Sequence, residues 1–87
     1  MAEISRFFGI VIAMYYREHV PPHFHAAYGE FTAQISIQDL RVIEGYLPKR
    51  TKSYVLEWAD EHRDELMQNW VDMQAKKPFT KIEPLAP

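Results

Sequence analysis

The segment HFHAAYGEFTAQISI, residues 23–37, predicts a β-hairpin around which the rest of the chain can be placed. Gly29 and Glu30 form a two-residue turn with glycine in the first central position, as a type II′ turn prefers. On one face of the paired strands this register places only apolar residues: Tyr28 with Phe31, Ala26 with Ala33 and Phe24 with Ile35. The other face is mostly polar: Ala27 with Thr32, His25 with Gln34 and His23 with Ser36. Because both strands independently assign the same residues to the core face, the pattern specifies the register.

Two further segments extend the hairpin into a predicted four-stranded sheet. Residues 7–16 are rich in β-branched and aromatic side chains and are apolar on both alternating faces, which is typical of a strand covered on both sides. Residues 38–40 predict a turn, and residues 41–47 alternate weakly and predict the last strand. The first part of the chain therefore predicts a mainly antiparallel meander.

The apolar period becomes helical from Pro48 to Lys77. One stripe contains Val55, Ala59, His62, Leu66, Trp70 and Met73. An unbroken helix would be about 43 Å long, whereas a globule of this size has a radius of gyration of roughly 12 Å. We therefore predict two helical segments that meet near residues 60–64, with Pro48 in the first helical position and Asp60 as a cap. Residues 78–87, with three prolines, predict an extended tail.

These segments predict a single α+β domain over residues 1–87. The sheet occupies residues 1–47, and the helical part, residues 48–77, packs on one face of it. A chain of 87 residues has room for one domain. The expected core contains Phe24, Ala26, Ile35, Ile37, Val55, Trp58, Ala59 and Leu66.

Composition excludes several classes of site. The chain has no cysteine, so thiolate nucleophiles and cysteine-ligated zinc or iron–sulfur centres are ruled out. The formal net charge of −2 argues against a broadly basic nucleic-acid-binding surface. No apolar run is long enough for a membrane span, and no basic region precedes residues 7–16 as in a secretory signal, so we expect a cytoplasmic protein.

Three histidines lie close together in the sequence: His19, His23 and His25. His23 and His25 project to the same strand face, and His19 precedes them across Pro21-Pro22. The three imidazoles predict a site for a divalent ion such as zinc or nickel. His23 and His25 could instead act in acid–base catalysis of phosphodiester cleavage. A structural role on a half-polar sheet surface, with hydrogen bonds to Gln34 and Ser36, is the third alternative. Glu18 and Glu30 are near in sequence, but the pattern does not place either carboxylate on the histidine face.

A basic group, Lys49, Arg50 and Lys52, occupies the predicted first turn of the helical region. Cations there oppose the helix dipole, so an unfavourable local choice suggests an anion-binding role. A solvated surface cluster is the alternative. His62, on the apolar stripe, is expected to be a core histidine. If the helix overhangs, Trp70 and Met73 would form an exposed patch for a partner or a second copy of the chain.

Several segments together resemble the bacterial domain-of-unknown-function family 4160. They are ISRFFGIVI at residues 4–12, PPHFH at residues 21–25, and the later LEWA, HRDEL, NW and KIEPL segments. The resemblance covers nearly the whole chain and implies no catalytic residues. It does imply a protein partner encoded nearby, from domain-of-unknown-function family 2442, in an arrangement suspected to be a toxin–antitoxin pair.

Two functions therefore remain open at the level of sequence. In the first, the protein is the toxin-like member of such a pair and acts on RNA, with His23 and His25 as acid–base groups and Lys49, Arg50 and Lys52 holding phosphate. In the second, it is a non-catalytic metal-binding or protein-interaction module.

Overall fold

The computed structural model describes all 87 residues as an antiparallel sheet with two helices. The α+β class is confirmed. The strands run in sequence order across the sheet. The elements are β1 (Ala2–Phe7), β2 (Ile10–Met14), β3 (His23–Tyr28), β4 (Phe31–Ser36), β5 (Val42–Gly45), α1 (Lys49–Glu61) and α2 (Arg63–Gln74).

The sheet has five strands, so the prediction of four was wrong. Residues 7–16 are not one strand, because the chain reverses at Phe8 and Gly9, which both have positive φ, 51° and 77°. Two consecutive positive φ values are characteristic of a type I′ turn, which connects β1 to β2. The strand β1 is difficult to recognise in the sequence, because Glu3 and Arg6 interrupt its apolar residues and a register shift between Glu3 and Ser5 breaks its alternation.

The central hairpin of β3 and β4 has the predicted register. All six predicted pairs occur, from His23 with Ser36 to Tyr28 with Phe31. Gly29 has a φ of +59°, and its neighbour Glu30 does not have a positive φ, as a type II′ turn requires. The register of this hairpin therefore determines which side chains of β3 face the helices and which face the other side of the sheet.

The helical region is divided at His62, within the predicted interval, but Asp60 is not the cap. His62 has φ −125° and lies between α1 and α2, and no side chain caps either helix there. Acidic Asp64 and Glu65 in the first turn of α2 favour a new helix start, since they complement its dipole. Pro48 precedes α1 at the N-cap position instead of beginning the helix.

The core lies between one sheet face and the two helices. All eight residues expected there are buried: Phe24, Ala26, Ile35, Ile37, Val55, Trp58, Ala59 and Leu66. Trp58 is fully buried, and its indole Nε1–H donates to the Glu83 carbonyl at 2.7 Å. The tail, residues 78–87, contains neither helix nor strand. It is held against the edge strand, where the Ile82 amide donates to the Ile4 carbonyl. Neither α1 nor α2 has the length and apolar composition that a membrane-spanning helix needs.

Candidate metal centre

The connection between β2 and β3 brings a carboxylate to the histidines at the start of β3. Glu18 lies in this connection, while His23 and His25 belong to β3. One ligand atom from each of the three residues lies within 4.8 Å of the others. Glu18 is the member that sequence reasoning left out, because no strand or helix period determines where a loop side chain points. His19 is exposed and does not belong to this cluster.

His23 is held in a defined tautomer. Its Nδ1–H donates to the Pro21 carbonyl at 2.8 Å, so in the neutral ring Nε2 carries the lone pair. The side chain is only 5% exposed, and its ring packs against Trp70 of α2 with the centroids 5.2 Å apart. The buried Nε2 has no hydrogen-bond partner. The nearest carboxylate oxygen, Oε1 of Glu18, is 3.6 Å away.

His25 contacts the same carboxylate oxygen. Its Nε2–H donates to Oε1 of Glu18, and the ring stands edge-on to Tyr15 with the centroids 4.5 Å apart. About a quarter of the side chain is exposed. His25 also lines a depression of about 360 Å³ on the sheet face away from the helices, together with Thr32, Gln34 and Glu44.

The main chain of Glu18 is attached to the helical layer. Gln74, the last residue of α2, donates from its side-chain amide to the Glu18 carbonyl at 3.1 Å. With the ring contact between His23 and Trp70, this bond makes α2 a second support for the site. Three separate segments therefore orient the cluster: the β2–β3 connection, β3 and the C-terminal half of α2.

The arrangement leaves one electrostatic conflict. In the neutral state, the Nε2 lone pair of His23 faces a carboxylate oxygen, and both are acceptors. Glu18 Oε1 accepts from His25, but the buried Nε2 of His23 has no donor, which costs about 1–3 kcal/mol. A cation between the two atoms, either a proton or a metal ion, removes the conflict. The anchored Nδ1–H of His23 is also the partner that metal-bound imidazoles usually have, because it fixes the ring and its tautomer.

The basic residues predicted to bind anions lie elsewhere. Lys49, Arg50 and Lys52 are exposed in the first turn of α1, as predicted, and form no ion pair. A depression of about 350 Å³ is lined by Lys49, Arg50 and Ser53 and shares no residue with the one beside His25. The structure therefore brings His23 and His25 together with Glu18, but not with the basic turn.

His62 is not part of the histidine cluster. It lies at the junction of the helices, where its ring contacts Trp58 at 5.5 Å and Nδ1 pairs with the exposed Glu65 carboxylate. This pair has one imidazole and one carboxylate, so it lacks the second imidazole of the cluster around Glu18. The His62–Glu65 pair therefore serves as a control for the cluster of Glu18, His23 and His25.

Comparison with known proteins yields one family match. The model of a family described as domain of unknown function (DUF4160) matches residues 9–71. This range begins just before β2 and ends within α2, so it contains Glu18, His23 and His25. Neither the curated proteins nor the solved structures contain a match to this chain.

Proposed function

The chain belongs to the DUF4160 family, whose description assigns no activity, and we propose that it is a metal-binding protein with Glu18, His23 and His25 as ligands. The observation that carries the proposal is the buried Nε2 atom of His23. It has no hydrogen-bond partner and faces a carboxylate oxygen 3.6 Å away. A divalent cation would satisfy both acceptors at once.

The donor set favours a first-row transition metal over magnesium or calcium. Two imidazole nitrogens and one carboxylate suit zinc, nickel or iron(II), whereas magnesium and calcium prefer oxygen ligands. Structural zinc sites in proteins usually have four protein ligands, and sites with three leave a position for water or another ligand. We propose zinc or nickel as the resident ion, with such an open position.

The distances between the ligand atoms support a site in which small side-chain movements bring the three ligands to the ion. Ligand atoms about 2.1 Å from a tetrahedral ion lie roughly 3.4 Å apart. The 3.6 Å separation between His23 Nε2 and Glu18 Oε1 is close to this value. The Nε2 of His25 is hydrogen-bonded directly to the same oxygen. To bind the ion, His25 would carry its proton on Nδ1 instead of Nε2, and its ring would move apart from that oxygen.

The proposal is tested by calorimetric titration of zinc into untagged protein that has been treated with a chelator. We expect one ion per chain. Single substitutions His23→Ala, His25→Ala and Glu18→Gln should each raise the Kd at least about tenfold. Each changes a ligand, and changes to the hydrogen-bond partners of metal ligands alone cost about 10–100-fold. Circular dichroism of each variant checks that the fold is kept.

Two matched variants serve as controls for this experiment. His62→Gln removes an imidazole that pairs with a single carboxylate, and His19→Ala removes the exposed histidine beside the cluster. Both should bind zinc like the unsubstituted chain. Unchanged zinc binding by folded His23→Ala and His25→Ala variants would refute the proposed ligands. Equal losses in the control and ligand variants would do the same.

A toxin-like role on RNA is the second candidate. One observation favours it: the hydrogen bond from His25 to the Glu18 carboxylate orients an imidazole, as in general acid–base sites. Against it, the depression beside His25 contains Glu44 and no basic residue, so it would repel phosphate. The geometry therefore supports metal binding better.

The toxin hypothesis predicts slowed growth and RNA cleavage when this chain is expressed without a neighbouring partner. His25→Ala should abolish both effects, and the proposed partner from family 2442 should suppress them. Normal growth with intact RNA would exclude the toxin role and leave the metal proposal unaffected.

A further inference from the structure

Four of the six exposed aromatic side chains lie at the end of the sheet opposite to the histidine cluster. Four rings are 36–63% exposed: Phe8, Tyr28, Phe31 and Tyr46. Phe8 lies in the β1–β2 turn, Tyr28 and Phe31 flank the β3–β4 turn, and Tyr46 follows β5. We call these four residues, with the partly exposed Tyr54 of α1, the aromatic band. Single exposed apolar residues are ordinary, but a contiguous exposed group marks an interaction site.

Two pairs of rings in the aromatic band are in direct contact, and Tyr28 lies between these pairs. Tyr54 and Phe8 lie 5.1 Å apart between centroids, in an edge-to-face arrangement. The β1–β2 turn, which contains Phe8 and Gly9, lies next to Tyr28, because a Cβ on Gly9 would be 3.6 Å from the Tyr28 ring.

The other half of the band continues across the hairpin. Tyr28 and Phe31 are cross-strand partners, and the rings of Phe31 and Tyr46 are 5.7 Å apart. The band therefore runs from α1 to β5 along the turns of the sheet.

The aromatic band is continuous with the basic turn of α1. Lys49 follows Tyr46 by three residues, and Arg50 lies one helical turn before Tyr54 on the same face. None of Lys49, Arg50 and Lys52 forms an ion pair. Unpaired cations beside exposed rings are complementary to a ligand that carries both negative charge and flat apolar groups.

We propose that the aromatic band and the basic turn bind single-stranded nucleic acid. Bases would stack on the exposed rings, and Lys49, Arg50 and Lys52 would contact the phosphates, which is how proteins bind single strands without sequence preference. Glu30 lies in the β3–β4 turn between Tyr28 and Phe31, and the chain as a whole is acidic. This charge distribution favours a short stacked strand over the dense phosphate array of a duplex.

The proposed surface is independent of the metal centre. His23 begins β3 and Tyr28 ends it, so the two sites are separated by the length of this strand, about 17 Å. They share no residue. Loss of zinc binding would therefore leave this proposal intact, and loss of nucleic-acid binding would leave the metal proposal intact.

The test uses fluorescence anisotropy of a fluorescein-labelled 12-nucleotide oligouridylate at 50 mM KCl. We expect saturable binding that weakens as salt is added. The variant Phe31→Ser/Tyr46→Ser should bind at least about tenfold more weakly, because each lost stacking contact costs roughly 5–150-fold. Lys49→Gln/Arg50→Gln should reduce the slope of log K against log salt by about 1.4, the value for two lost phosphate contacts.

Matched control variants carry the same substitutions at the other end of the molecule. Tyr16 is 48% exposed, and Lys76 and Lys77 are exposed after α2. Tyr16→Ser and Lys76→Gln/Lys77→Gln should bind within twofold of the unsubstituted chain. Tyr46→Ser alone, at the most exposed ring, provides a variant whose fold is least affected.

Four results would overturn the proposal. The first is no saturable binding, and the second is an equal loss in the band and control variants. The third is self-association, seen by sedimentation, that Phe31→Ser/Tyr46→Ser abolishes while the oligouridylate remains unbound; the band would then be a contact between two copies of the chain. Binding of a 12-base-pair duplex as tightly as the single strand would likewise contradict single-strand recognition.

Discussion

Three histidines of this chain lie beside carboxylates, and two of them, His23 and His62, differ in burial. His62 pairs with Glu65, whose side chain is about half exposed, so water can satisfy both partners. His23 is 5% exposed, its Nδ1–H donates to the Pro21 carbonyl, and its Nε2 has no hydrogen-bond partner. An imidazole and a carboxylate therefore form an ordinary partly exposed contact at His62 and Glu65. At His23 and Glu18, a cation between the two groups would be stabilising, because the buried nitrogen has no other partner.

At the residue scale, Gly45 is predicted to tolerate no side chain. Its φ is +83°, and a Cβ would lie 2.2 Å from the Thr32 carbonyl oxygen, which is backbone and cannot move aside cheaply. Gly45→Ala combines this clash with a left-handed conformation that alone costs roughly 1–2 kcal/mol. We expect a loss of more than about 2 kcal/mol in the free energy of unfolding, measured by urea denaturation.

Gly29→Ala is the matched control for this substitution. Gly29 also has a positive φ, +59°, but nothing lies within 4 Å of an added Cβ. It should lose only the conformational cost of about 1–2 kcal/mol. Equal destabilisation of the two variants would show that the contact with Thr32 is not the cause.

The ion pair at the start of β1 gives a pH-dependent prediction. The Arg6 guanidinium donates to both oxygens of Glu3 and thereby lowers the pKa of Glu3. Because the pKa is lower in the folded state, the pair stabilises the fold above the usual glutamate pKa, and this contribution is lost as pH falls through the folded value. Arg6→Gln should raise the pKa of Glu3, as followed by NMR titration of its carboxyl carbon. Arg41→Gln should leave it unchanged.

At the scale of elements, the sequence predicts best what regular periods determine. The β3–β4 register follows from alternation plus one glycine turn, so all its pairs could be predicted. The break between the helices follows from length and composition. The strand β1 could not be predicted, because its period is interrupted by Glu3 and Arg6 and by a bulge.

The sequence does not predict the third member of the proposed metal centre, for a related reason. Glu18 lies in a connection without a repeating pattern, so nothing in the sequence indicates where its carboxylate points. Its place depends on long-range contacts, such as the bond from Gln74 of α2 to its carbonyl. His23 and His25 are on a strand, and the sequence alone could place them side by side.

The tail gives a prediction about how one element is held by another. The buried side chain of Asn69 in α2 exchanges two hydrogen bonds with the backbone of Thr80, at 2.7 and 2.8 Å. Asn69→Ala leaves the Thr80 groups without partners, at a cost of about 1–3 kcal/mol. We expect faster trypsin cleavage at Lys81 under native conditions, with mass spectrometry locating the cut.

The neighbouring variant Gln68→Ala tests whether this effect is specific. Gln68 is exposed, and its amide bonds only to Asp72 on the same helix. Cleavage at Lys81 should be as slow as in the unsubstituted chain. Similar cleavage rates in the Asn69 and Gln68 variants would mean that hydrogen bonds to Thr80 do not hold the tail.

At the scale of the whole molecule, the two proposed sites occupy opposite ends of one sheet. The turns of the sheet and the start of α1 form the aromatic and basic end, while the start of β3 and the end of α2 form the imidazole and carboxylate end. The net charge of −2 therefore averages over two chemically different surfaces. The hairpin of β3 and β4 links them, because β3 begins at one site and ends at the other.

Metal binding is also expected to stabilise the entire chain, because its ligands join the β2–β3 connection to β3 and, through Gln74 and Trp70, to α2. An ion that binds only the folded state at 100 times its Kd contributes about 2.7 kcal/mol. For a domain of this size this corresponds to an increase in Tm on the order of 10 °C.

Adding zinc should produce such an increase in calorimetry, and a chelator should reverse it. Acidification should diminish it, since protons compete with the metal for the imidazoles. His25→Ala should show no zinc-dependent change in Tm, whereas His62→Gln should respond like the unsubstituted chain. An equal zinc response in all three proteins would place the bound ion away from Glu18, His23 and His25.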